Sequence, residues 1–90
     1  MDATLTVEFL PAVEFSGQTY DKLELREPTG GEVEKAYATG AQLKSTILLI
    51  SLVSGVPRGA VEKVGISKIR EASKFLEGFI SEPGPETGGN

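Results

Sequence analysis

The sequence predicts an α+β domain in which a short N-terminal antiparallel β segment of two to three strands is followed by three to four helices. Three observations lead there. Up to about residue 27 apolar residues alternate with polar ones, the period of a strand with one buried face. After Pro28 they recur every three or four residues, as on a helix. At 90 residues, 39% of them hydrophobic, the chain can build one small core and has little room for a second. The expected organisation is a single domain over residues 1–80 and a flexible tail over residues 81–90.

In the first run Leu5, Val7 and Phe9 point one way, and Thr4, Thr6 and Glu8 the other. Pro11 interrupts it. Val13 and Phe15 resume the alternation, and Ser16-Gly17 supplies a turn because glycine reaches positive φ without steric cost. A further strand is expected from Thr19 to Arg26, with Leu23 and Leu25 facing inward against Lys22, Glu24 and Arg26. Such strands are marginal alone and need helices to pack on.

Thr29-Gly30-Gly31-Glu32 has the form of a capping box, in which Thr29 accepts the amide of Glu32 and Glu32 reaches back to the amide of Thr29. It opens a helix expected over 31–38. Thr39-Gly40-Ala41-Gln42 repeats the form before a second helix over 41–54, whose Leu43, Ile47, Leu48, Leu49, Ile50, Leu52 and Val53 are apolar nearly all round. Gly55 suits the left-handed cap that ends it, and Pro57 the first turn of a third helix over 58–64. Ser67 is the expected cap of a last helix over 68–80, where Ile69, Ala72, Phe75, Leu76, Phe79 and Ile80 form one stripe.

The chain has no Cys, His or Trp, which removes disulfides, thiolate nucleophiles, imidazole acid–base catalysis and Cys/His zinc sites. No catalytic, cofactor-binding or metal-ligating residue is therefore expected, and binding is favoured over catalysis. Asp2 follows Met1 where a signal peptide would carry a basic segment, and Ile47–Val53 is far too short to span a bilayer. No membrane association is expected.

The net charge of −4 is unevenly distributed. Residues 1–40 carry eight acids and three bases, residues 41–80 three acids and six bases. This polarity favours self-association or an oppositely charged partner, although solvated faces with an accidental bias explain it equally well.

Four features merit weighing for function. The segment Leu25-Arg26-Glu27-Pro28-Thr29-Gly30 is the most distinctive, and physically it reads first as a strand end, a charged pair and a helix cap. Thr29-Gly30-Gly31 is no phosphate loop, since Lys-Ser/Thr does not follow and Glu32 and Glu34 repel phosphate. Arg58, Lys63, Lys68, Arg70 and Lys74 give residues 54–76 a helix-turn-helix rhythm, so a small DNA-binding or regulatory protein is the alternative function. The acidic balance of the whole and the lack of base-reading side chains at the start of the last helix weigh against nucleic acid. Finally, Leu48, Leu49 and Leu52 with Phe75, Leu76 and Phe79 bring more apolar surface than a small sheet needs. That makes them candidates for partner binding, although such residues are more often core.

The order of these features resembles the tail assembly chaperones of long-tailed bacteriophages, in particular the Mu-like and related myophage group. The resemblance runs from about Leu5 to Ile80 and rests on LREPTGGEV (Leu25 to Val33), on SLVSGVP (Ser51 to Pro57) closing the apolar helix, and on the final helix with Phe75 and Phe79. LREPTG is its specific part. The resemblance implies a non-enzymatic role in virion morphogenesis, with the tape measure protein as partner, kept soluble while tail tube subunits polymerise round it. The tail tube protein is a further implied contact. Host bacterial cytoplasm is the implied site of action, with the chaperone absent from the mature virion. On this reading the DNA-binding alternative would be a regulator of a phage or prophage.

Overall fold

The computed structural model describes residues 4–80. Two antiparallel strands, β1 (Thr4–Phe15) and β2 (Gln18–Arg26), precede four helices: α1 (Gly30–Tyr37), α2 (Gln42–Ser54), α3 (Arg58–Val61) and α4 (Ile66–Ile80). This is the α+β arrangement expected. The proposed tail over residues 81–90 lies outside the described residues.

Alternation built the hairpin as expected: Leu5 pairs with Leu25 and Val7 with Leu23, on the face that the helices cover. Its turn uses positive φ at Ser16 (53°) and Gly17 (79°). Pro11, however, does not end a strand. The first and second expected strands are one, and the Leu10–Pro11 peptide bond, which is cis, lies within it. Between Glu8 and Val13 the register shifts, with Phe9, Leu10, Pro11 and Ala12 set against Asp21 alone. Such a bulge sets residues outside the ladder, where the missing amide of proline costs nothing.

The helices pack on one face of this hairpin, α2 against β2, α3 against β1, and α4 against both. Val7, Leu23, Leu25, Ile50, Val61 and Leu76 form the centre of the core, each almost wholly removed from solvent. Around it, Leu5, Phe15, Tyr20, Val33, Ile47, Leu48, Phe75 and Ile80 are half-buried and pack against it.

Helix ends separate the capping signals that work from those that do not. Both halves of the Thr29–Glu32 box are present. Gly55 ends α2 at φ 79°, with its amide on the carbonyl of Ser51 at 2.9 Å. The second box does not form: Ala41 is the N-cap of α2, and no side chain caps it. The Thr39 hydroxyl instead bonds the backbone of Ala41 at 3.3 Å and lies 2.8 Å from Ser45 Oγ, satisfying that buried hydroxyl. Ser67 is not a cap either. The carbonyl of Gly65 accepts from Lys68 at 3.0 Å and Ile69 at 3.1 Å, so α4 starts before Ser67. α3 is a single turn, shorter than the helix expected to residue 64.

Candidate functional site

The distinctive segment between β2 and α1 is a joint. Leu25 anchors it in the core, 2% exposed. Arg26, last in the strand, directs Nη1 to Glu32 Oε1 at 2.9 Å and Nη2 to Oε2 at 2.7 Å. Glu32 Oε1 also accepts the backbone amide of Thr29 at 2.9 Å, and Thr29 Oγ1 accepts the amide of Glu32 at 3.1 Å. Pro28 sits between, half-buried, and Gly30 opens the helix. The hydrogen bonds from Arg26, with those of Thr29, lower the Glu32 carboxyl to about 2 and raise the guanidinium.

The charged pair is thus not Arg26 with its neighbour Glu27. Arg26 touches Glu27 only at the backbone carbonyl, at 3.1 Å. Its ionic partner is Glu32, which the sequence marks as half of a cap and as a charge against phosphate but not as the partner of Arg26.

The six apolar candidates on α2 and α4 divide into three kinds. Leu49 (3% exposed) and Leu76 (1%) are core residues. So buried, they hold the helices in place and present almost no surface to solvent. Leu48 and Phe75 are half-buried and lean on the core. Leu52 and Phe79 are half-buried but do not join that cluster. Leu52 lies one turn from Leu48 on the same flank of α2. Phe79 packs edge-on against Phe75, ring centroids 5.2 Å apart and planes at 81°. The two helices pack against one another.

The exposed apolar residues Leu10 (91%), Leu43 (56%), Ile66 (54%) and Tyr37 (46%) were not among the candidates. Leu43 is also on α2, which extends the apolar surface of that helix towards its start. Leu43 shares a face with Ile47 and the buried Ile50, so its exposure follows from its place in the first turn of the helix and not from helical phase.

The basic residues behind the helix-turn-helix reading are partly engaged. Arg58 pairs with Glu62 at 3.3 Å and Lys68 with Glu71 at 3.9 Å. Lys63 Nζ lies 3.5 Å from the carbonyl of Glu14 and 6.0 Å from the ring centre of Phe15. Among the described residues no group of three or more acids is placed to hold a metal ion, and no helix is long and apolar enough to cross a membrane.

Comparisons with curated proteins and with solved structures found no match. A family model described as "Phage tail assembly chaperone proteins, E, or 41 or 14" matches residues 6–81, which include the hairpin from Thr6 onward, the Arg26–Glu32 joint and all four helices. The match covers most of the chain, and the chain belongs to the phage tail assembly chaperone family.

Proposed function

We propose that this chaperone binds the tape measure protein and keeps it soluble while the tail tube assembles, in the host bacterial cytoplasm, and that it is absent from the finished virion. The observation that carries the reading is the half-buried apolar surface of α2 and α4, with Leu52 and Phe79 outside the core cluster and Leu48 and Phe75 at its margin. An amphipathic segment laid along such a surface gains about 25 cal/mol for each Å² of apolar area buried, less the cost of ordering it. Micromolar affinity follows, suited to a partner that must later be released. The role is binding, and no catalytic step is assigned.

Two observations support a protein partner over DNA. Arg58 lies beside the carboxylate of Glu62 at 3.3 Å, and the chain is net acidic at −4, which opposes the long-range attraction to phosphate. Co-expression of the tape measure protein with and without this chain, followed by solubility and pull-down measurements, tests the reading. The tape measure protein should gain solubility and co-purify. Co-purification of the tail tube protein alone, or a salt-sensitive shift of duplex DNA, would replace it.

A further inference from the structure

The hairpin leaves its two outer edges in different states. β1 pairs with β2 on one side, and among the described residues no other strand joins the sheet. The outer edge of β1 is interrupted by the register shift between Glu8 and Val13, where Pro11 has no amide to donate. Bulges and prolines are among the devices that keep an edge from pairing. β2 carries neither proline nor glycine from Gln18 to Arg26. Its unpaired amides and carbonyls form a template for another strand.

Its side chains select that strand. Lys22, Glu24 and Arg26 alternate with the buried Leu23 and Leu25, so they lie on the face away from the helices. Arg26 is already committed to Glu32, whereas Lys22 and Glu24 are exposed and make only a long contact with each other, at 3.7 Å. Consider a second copy of β2 lying antiparallel beside the first. A two-fold axis at Lys22 sets lysine against lysine, and one at Glu24 sets glutamate against glutamate. An axis at Leu23 sets Lys22 against Glu24 of the other copy, twice, and leucine against leucine on the covered face. Registers displaced by an odd number of residues place inward side chains against outward ones. An axis at Leu25 keeps far less of the strand in overlap.

We propose that β2 is a self-association edge, pairing antiparallel with β2 of a second copy about Leu23, with two reciprocal Lys22–Glu24 pairs fixing the register. The product is a four-stranded sheet, ordered β1-β2-β2-β1, with the helices of both copies on one face. The contact is isologous, so it closes at a dimer. It is separate from binding of the tape measure protein, and either can fail without the other.

Charge exchange tests it on the full chain. Sedimentation equilibrium up to about 1 mM should show a monomer–dimer equilibrium for the wild type. Glu24→Lys sets lysine against lysine at both pairs and should weaken the dimer by about tenfold or more. The opposite variant combines Lys22→Glu with Glu8→Lys, because Lys22 faces Glu8 within the hairpin. It should weaken the dimer similarly. Circular dichroism of each variant establishes that it is folded. An equimolar mixture of the two variants restores both Lys–Glu pairs and should regain the wild-type affinity as a heterodimer. A wild type that stays monomeric, a dimer unaffected by either variant, or a mixture no tighter than its components would overturn the proposal.

Discussion

Arg26 grips both carboxylate oxygens of Glu32, Nη1 at 2.9 Å and Nη2 at 2.7 Å, and so ties the last residue of β2 to the first turn of α1. The same carboxylate completes the cap with Thr29. One acid therefore serves the sheet and the helix together, which gives the LREPTG segment a structural purpose: it fixes the direction in which the helical layer leaves the hairpin.

The joint should be sensitive to acid. Because hydrogen bonds from Arg26 and Thr29 hold Glu32 at about 2, below its ordinary 4.5, its stabilisation is fully present above the ordinary value. It is lost as pH falls from there towards 2. Glu32→Gln keeps an oxygen for the cap but loses the screened ion pair with Arg26, and should cost up to about 1 kcal/mol at neutral pH. In thermal unfolding between pH 6 and pH 2, the gap between variant and wild type should narrow as pH falls. A gap independent of pH would remove the ionic contribution.

At the far end of the hairpin, Phe15 rests on Gly59 of α3, so closely that a Cβ at position 59 would overlap its ring. Gly59→Ala should displace the ring and destabilise the protein by about 1–2 kcal/mol. With Phe15→Ala already present, the same substitution should become neutral or stabilising by up to about 1 kcal/mol, since alanine is the better helix former. A double-mutant cycle by urea unfolding reads the reversal.

Gly55 ends α2 in the left-handed region, at φ 79°. Alanine there meets no neighbouring atom but must adopt that backbone conformation. Gly55→Ala should therefore cost about 1 kcal/mol in urea unfolding, through strain alone.

What the sequence made legible follows the range of each interaction. The alternation at Leu5, Val7 and Phe9, the Thr29 box and the Gly55 stop depend on near neighbours, and all three are found. Pro11 reads as a breaker only if the ladder needs its amide, and the bulge removes that need. Ser67 offers a capping hydroxyl, but the Gly65 carbonyl starts the helix first. The Arg26–Glu32 pair crosses a turn at Pro28, where no helical or strand spacing rule brings two residues together. On α2 nearly every side is apolar, so periodicity could not separate buried Leu49 from half-buried Leu48 and Leu52. Only the placement of β2 beneath the helix does that.

The two apolar classes on α4 should respond differently to substitution. Leu76→Ala opens a cavity in the core and should cost about 2–5 kcal/mol. Phe79 is half-buried outside the core cluster, so Phe79→Asp should leave the cooperative unfolding transition in place with a smaller loss. Thermal melts of the two variants compare these costs directly.

The most direct measurement of the proposed function is co-purification of the tape measure protein with the wild-type chain and with folded Phe79→Asp. The wild type should hold the tape measure protein in the soluble fraction, and the variant should lose most of it while keeping its own circular dichroism spectrum. Equal recovery with both would contradict a binding surface at Phe79, and no recovery with the wild type would contradict the tape measure protein as the partner.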